Sequence, residues 1–129
     1  MLKESGVITM YLFVHYPKCS TCQKAKQWLD EQGVAYEARH IVEQNPTAEE
    51  LARWIGDSGQ PVKKFFNTSG LLYKELQLRD KLPGMTEDQQ FELLATNGML
   101  VKRPVAVAGD TVLIGFKEGE WEAKLILQE

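Results

Sequence analysis

The sequence is short of several things that would each have pointed to a class of protein. It has only two cysteines in 129 residues, both in one C-x-x-C at Cys19 and Cys22. A pair so close in sequence cannot staple distant elements, which excludes the disulfide framework of a small secreted domain. No apolar run approaches the roughly 20 residues of a membrane-spanning helix, and the run Met10 to Val14 is too short for the core of a signal peptide. Acidic residues number 18 against 15 basic ones, a formal charge of -3, and like charges never gather in a block. Direct binding of nucleic acid or of a membrane is therefore not expected. No internal repeat, low-complexity tract or linker breaks the chain.

What is there is a composition 43% hydrophobic and 26% charged, that of one compact domain of ordinary size. The cytoplasm is the expected location, where a cysteine pair is more often redox-active or metal-binding than structural. Met1 to Thr9 carry little pattern and precede a second methionine, so they are read as a flexible extension or a consequence of start-codon choice. Residues 10–129 are read as the single domain.

Met10 to Tyr16 is β-branched or aromatic almost throughout and reads as a buried first strand that Pro17 ends. Ser20 to Gln32 carries Cys22, Ala25, Trp28 and Leu29 at helical spacing, closed by Gly33. Val34 to Ile41 reads as a second strand, with Val34, Tyr36 and Ala38 alternating against Glu37 and Arg39, which completes a β-α-β unit. Thr47 with Glu50 is a capping box opening a helix to Gly56, with a polar break over Asp57 to Pro61. A helical turn over Val62 to Phe66, a turn at Asn67 to Gly70 and a short helix over Leu71 to Leu76 follow. Thr86 with Gln89 caps one more helix, which stops at Asn97-Gly98. Residues from about 45 to 100 thus read as a helical insertion without a strand. Val105 to Ala108 and Thr111 to Phe116 form a hairpin about Gly109-Asp110, and Trp121, Leu125 and Ile126 mark a last amphipathic helix. The order predicts an α/β fold: a thioredoxin-like β-α-β plus β-hairpin-α sheet with a central helical insertion.

Cys19 lies where the first strand hands over to the first helix, beside unpaired backbone amides and the positive end of the helix dipole. Such a position favours the thiolate, the nucleophilic form, and Lys18 and Lys24 add nearby positive charge. Cys22 sits one helical turn inward, where α-carbons fall within the bridging window of about 4.4 to 6.8 Å, so it can resolve a mixed disulfide on Cys19. Two other readings stay open: half of a zinc site completed by His15 and His40, although the spacing fits no standard finger, and a pair of inert cysteines. His15 reads as a packed or rim residue, and Trp28, Trp54 and Trp121 as packing residues. Arg103-Pro104, at the head of a strand that follows a helix, is compatible with a cis turn. In a thioredoxin-like fold that turn lies against Cys19, and Arg103 offers a cation to a thiolate or an anionic substrate. The other reading is a surface arginine beside Lys102.

Taken together, Tyr16-Pro17-Lys18-Cys19-Ser20-Thr21-Cys22, Asn67-Thr68-Ser69-Gly70, Leu78-Arg79-Asp80-Lys81-Leu82, Arg103-Pro104-Val105 and Ile114-Gly115-Phe116 resemble the glutaredoxin-fold family of arsenate reductases (ArsC) and Spx-type regulators. The resemblance covers Met10 to Leu127. It implies a nucleophile at Cys19, an essential Arg103 before a cis-proline, and a small oxyanion or disulfide substrate bound by Ser20, Thr21, Asn67 and Pro104. It also implies chemistry without a bound cofactor or metal, with electrons from glutathione or thioredoxin and with glutaredoxin or thioredoxin as partner. Of the three arginines that hold the oxyanion in such reductases, only Arg103 is matched. Asn67 stands at the position of the insertion arginine, and the late-strand arginine falls near Gly115-Phe116. Each missing charge-assisted hydrogen bond forfeits about 1.5–3 kcal/mol, which disfavours arsenate. Cys22 is similar to the C-x-x-C switch of the Spx-type proteins, which bind an RNA polymerase subunit; the alternative is accordingly a redox-responsive regulator instead of an enzyme.

Overall fold

Phe13 and Val14 are neighbours in sequence and both are fully buried. Successive strand residues point to opposite faces, so the first strand must be covered on both sides, which is why Leu12, Phe13 and Val14 in succession are all apolar. In the computed structural model, which describes residues 10–126, this strand is β1 (Tyr11–His15). It lies inside a four-stranded mixed sheet of order β2-β1-β3-β4. β2 (Tyr36–His40) pairs parallel to β1 from Tyr11↔Tyr36 to His15↔His40. β3 (Val105–Ala108) runs antiparallel to β1, and β4 (Thr111–Ile114) antiparallel to β3. The expected thioredoxin-like α/β architecture is present, and no helix is long and apolar enough to cross a membrane among the described residues.

One face of the sheet is covered by α1 (Ser20–Glu31), whose Ala25, Trp28 and Leu29 join Phe13, Ala106, Leu113 and Trp121 in one apolar cluster. α1 ends as its sequence dictates. Gly33 turns left-handed at φ +70, its N–H donates to Asp30 O and the Val34 N–H to Leu29 O, the pairing of a Schellman motif. The other face carries Val14 and the insertion: α2 (Ala48–Ser58), α3 (Leu71–Glu75), α4 (Leu78–Lys81) and α5 (Glu87–Ala95), with short 3-10 turns at Val62–Phe65, Leu82–Gly84 and Gly98–Leu100. Leu51, Trp54, Phe65 and Leu94 fill its core. Both capping boxes form, Thr47 with Glu50 and Thr86 with Gln89. Gly98 has no substitute at its position: a Cβ there would stand 1.9 Å from Ile41 O, so only glycine lets the end of the insertion press against the end of β2.

Several expectations are corrected. α2 runs past Gly56 to Ser58, because Ser58 Oγ donates to Ile55 O and accepts from the Gln60 N–H, closing the helix before Gly59 at φ +71. α4 is four residues, less than the length over which a period can be read. The insertion is not free of strand pairing, since Phe66 and Val101 form an isolated antiparallel bridge. β4 stops at Ile114 because Gly115 turns at φ +71, with its N–H on Pro104 O. On β2 the alternation holds at Tyr36 and Glu37 and reverses after them: Ala38 is exposed and Arg39 half-buried, drawn in by Glu50. The last helix is a short α6 (Glu118–Trp121) that widens into a π turn over Glu122–Ile126, and Ile126 is exposed. The stretch Met1 to Thr9 expected to be an extension lies outside the described residues.

Candidate active site

At the end of β1 the chain turns through Tyr16, Pro17 and Lys18, held by the Cys19 N–H on Tyr16 O at 2.9 Å. Cys19 then becomes the N-cap of α1, in extended backbone conformation. Its Sγ accepts from the Cys22 N–H at 3.4 Å, the bond that a serine or aspartate makes at the same position. A thiolate accepts such a bond better than a thiol. Burial works against ionisation of Cys19. The Cys22 N–H, the Cys22 thiol, the Arg103 charge and the Thr21 N–H together outweigh it, and hold the Cys19 thiol below the ordinary cysteine value.

Cys22 is 1% exposed, and its Sγ accepts from the Tyr16 N–H at 3.5 Å. Burial, followed by the hydrogen bond with Cys19 and the charge on that sulfur, pushes the Cys22 thiol up to about 12. Cys19 and Cys22 stand side by side without a bond between their sulfurs in this structure. The two sulfurs are thus unequal: the outer one ionises first, and the inner one stays a neutral thiol beneath it.

Arg103 reaches this junction from the start of β3, across a cis peptide bond to Pro104. Its guanidinium carbon lies 5.2 Å from the centre of the Tyr16 ring. Among the described residues Nη1 makes only long contacts, 3.4 Å to Val101 O and 3.5 Å to Met99 O, and the buried Nε donor has no acceptor. A guanidinium with unspent donors is suited to receive an anion.

A cleft of about 270 Å³ opens over Cys19, walled by Thr21, Asn67, Lys102, Arg103, Ile114, Gly115, Phe116 and Lys117. Four segments far apart in sequence meet there: the start of α1, the Asn67 turn, the Arg103 turn and the end of β4. Of the residues read from sequence, Cys19, Thr21, Asn67 and Arg103 converge on this cleft, and Cys22 lies beneath. Ser20, the first residue of α1, is exposed and is not part of the wall. Pro104 is buried, and also lies off the wall. Asn67 is fixed through its backbone, with its N–H on Leu100 O at 2.7 Å.

Lys102, Phe116 and Lys117 were not legible as site residues. Gly115 explains Lys102, since a Cβ at Gly115 would stand 3.0 Å from Lys102 Cε. The lysine stem therefore runs over the place where the resemblance puts a late-strand arginine, so the site holds ammonium groups beside its one guanidinium. The glycine next to Phe116 was the available signal, but its meaning depends on a residue from a different strand.

His15 stacks on Phe13 with ring centres 5.0 Å apart. Burial and the charges of His40 and Lys26 keep its imidazole below the usual value. His40 Nδ1 accepts from the N–H groups of Val42 and Glu43, both at 3.1 Å, so that lone pair closes the turn after β2. Neither histidine lines the cleft. Among the described residues no group of three or more His, Cys, Asp or Glu side chains is placed to hold a metal ion.

Known proteins extend this geometry. The chain is 54% identical over 110 residues to the uncharacterized protein YusI of Bacillus subtilis, covering 85% of this chain and 93% of that protein. It is 31% identical over 108 residues to the regulatory protein MgsR of the same organism, covering 84% of each. A crystal structure of a putative ArsC family related protein from Bacteroides fragilis superposes with a TM-score of 0.87 at 61% identity, covering 91% of this chain and 98% of that one. Its relatives also include an arsenate reductase from Vibrio cholerae and global transcriptional regulators named Spx. The model of the ArsC family matches residues 14–124, and the chain belongs to that family.

Proposed function

We propose that the protein is a thiol-dependent reductase in which Cys19 is the nucleophile, Cys22 the resolving thiol and Arg103 the anion-stabilising group. The observation that carries this reading is the inequality of the two cysteines: a half-exposed sulfur capping a helix beside Arg103, over a buried protonated one. With a disulfide R–S–S–R′, the Cys19 thiolate attacks one sulfur, forms Cys19–S–S–R and expels R′S⁻. Cys22 then loses its proton to the departing thiolate and attacks Cys19 Sγ, closing the Cys19–Cys22 disulfide and expelling RS⁻. Glutathione, or a dithiol protein such as glutaredoxin or thioredoxin, returns the two electrons, and no bound cofactor is required. A small oxyanion is the other substrate class, held by Arg103, Asn67 and the Thr21 end of α1, with Lys102 and Lys117 supplying charge. The reducing cytoplasm is the compartment that suits this cycle.

The test is NADPH consumption coupled to glutathione and glutaredoxin, and separately to thioredoxin, with a small disulfide or arsenate as substrate. Turnover is expected in the wild type and not in Cys19→Ser. Iodoacetamide at neutral pH should label Cys19 ahead of Cys22, as read by peptide mass spectrometry. Activity unchanged in Cys19→Ser would sink the reading.

A second reading is favoured by the kinship to proteins named as regulators: the Cys19–Cys22 pair would act as a switch that governs binding to an RNA polymerase subunit. Retention of that subunit by the purified protein in one redox state but not the other, with no turnover of any substrate, would establish it instead.

A further inference from the structure

The molecule carries a net charge of -3, yet one of its grooves is basic. This groove, about 520 Å³, runs between the 3-10 turn at Val62–Phe65 and the end of β4 and is lined by Lys63, Lys64, Lys102 and Lys117, against one carboxylate, Glu120. All four lysines are exposed, and among the described residues none of them is paired with a carboxylate.

The backbone fixes this arrangement. Val62 and Phe65 are buried, so the intervening Lys63 and Lys64 are turned outward. The Lys102 N–H donates to Phe65 O at 2.8 Å, beside the Phe66–Val101 bridge, which ties the lysine pair to the segment that carries Arg103. Lys117 directly precedes α6, which is anchored by Trp121 Nε1 on Gly115 O at 2.9 Å. The Gly115 N–H in turn donates to Pro104 O at 2.8 Å, so the four cations stand on three supports that are bonded to one another.

The groove is also continuous with the catalytic cleft. Lys102, Ile114 and Lys117 line both, so a ligand lying along it reaches Cys19 at one end. A small oxyanion would use only the first part. An extended chain, at about 3.3 Å per residue, would cross both, with its carboxylates among the lysines and its sulfur at Cys19. Phe66 and Ile114 give such a chain an apolar floor between the charges. We infer that the natural substrate of this site is a cysteine disulfide carried on an acidic polypeptide segment, which docks along Lys63, Lys64, Lys102 and Lys117. The inference rests on the reductase reading and narrows its substrate.

A synthetic peptide tests it, with a central cysteine as its mixed disulfide with thionitrobenzoate and glutamates on both sides; a matched peptide has glutamine at each glutamate. Attack of Cys19 on the peptide sulfur expels coloured thionitrobenzoate, Cys22 then releases the peptide thiol, and added dithiothreitol reduces the protein again. The expected result is about tenfold higher kcat/KM for the acidic peptide at low salt, falling toward the matched peptide as ionic strength rises. Lys63→Gln/Lys64→Gln should remove most of that preference and leave turnover of neutral hydroxyethyl disulfide unchanged. Equal kcat/KM for the two peptides, or an equal loss on the neutral disulfide, would overturn the inference, as would a preference for glutathione disulfide over the acidic peptide. Fluorescence anisotropy of the labelled acidic peptide, cysteine replaced by serine, separates the two claims. Binding that is weakened by the double substitution, without turnover of any disulfide, keeps the docking surface and defeats the reductase reading. Turnover without preferential binding does the reverse.

Discussion

Two arginines sit at strand ends over aromatic rings, Arg39 at 5.8 Å from the centre of Trp54 and Arg103 at 5.2 Å from that of Tyr16. They differ in how their donors are used. Arg39 makes two 2.8 Å bonds to the two carboxylate oxygens of Glu50 and donates further to Gln44 O at 2.8 Å and Asn45 O at 3.3 Å. Arg103 has two marginal contacts to carbonyls and an unpartnered Nε. Fixing a guanidinium over a ring stabilises a fold only when its donors find acceptors. Arg39 closes the seam between β2 and α2, whereas Arg103 leaves donors unused beside Cys19, as the proposed anion-stabilising role requires. Neither burial nor the aromatic partner separates these two arginines; unmet hydrogen bonding does, and the role proposed for Arg103 rests on it.

Alanine at each position should split activity from stability. Arg103→Ala is expected to lower kcat/KM by about ten- to a hundredfold, the equivalent of one charge-assisted hydrogen bond at about 1.5–3 kcal/mol. Its urea midpoint should hardly move, because the side chain leaves no satisfied partner behind. Arg39→Ala should do the opposite and cost on the order of 2–3 kcal/mol, since it strands the half-buried Glu50 carboxylate. Its activity per folded molecule should be that of the wild type. A large stability loss in Arg103→Ala, or an activity loss in Arg39→Ala below its unfolding midpoint, would erase the distinction.

The same contrast explains what could be read in the sequence. Elements whose causes are local were legible: the α1 stripe of Cys22, Ala25, Trp28 and Leu29, the Thr47 and Thr86 capping boxes, and the hairpin about Gly109. So was Cys19, because a strand-to-helix junction is itself a local feature. Arg39 was read as an outward residue of an alternating strand, since its partner Glu50 belongs to a helix not yet placed. Lys102 and Lys117 escaped for the same kind of reason. Their approach to Cys19 depends on Gly115 turning the chain and on Phe66 bridging to Val101, two events that join segments remote in sequence. α4 escaped through brevity.

Acid sharpens the structural half of the comparison. Arg39 hydrogen bonds, followed by the bonds from Thr47, hold the Glu50 carboxyl down at about 2 against an ordinary 4.5, despite the opposing effect of burial. A depressed carboxylate contributes stability that is fully present above its unfolded value and is lost as pH falls through the folded one. The contribution of Glu50 should therefore hold above about pH 4.5 and disappear toward pH 2. Allowing for solvent screening at a partly exposed pair, it amounts to about 1–2 kcal/mol. Urea unfolding followed across this window should show that loss in the wild type and a flatter profile in Glu50→Gln. Parallel profiles would assign the ion pair no role.

The smallest effect concerns the ring beneath Arg103. Tyr16 supports Arg103 through its ring and Cys22 through its backbone N–H, which accounts for a residue that contributes no group to the cleft wall. Tyr16→Leu removes the first contact and keeps the second. A cation–π contact at a half-exposed site contributes about 0.5–1 kcal/mol, so kcat/KM should fall by about two- to fivefold. Tyr16→Phe, which keeps the ring, should restore it, and iodoacetamide should still label Cys19 before Cys22 in both variants. If Tyr16→Leu instead made Cys22 as reactive as Cys19, the ring would be packing the buried sulfur and not steadying the guanidinium. The contrast would then rest on the unused donors of Arg103 alone. A ring that serves only the arginine leaves the inner thiol untouched, because burial and the neighbouring Cys19 sulfur, not the aromatic face, hold Cys22 protonated.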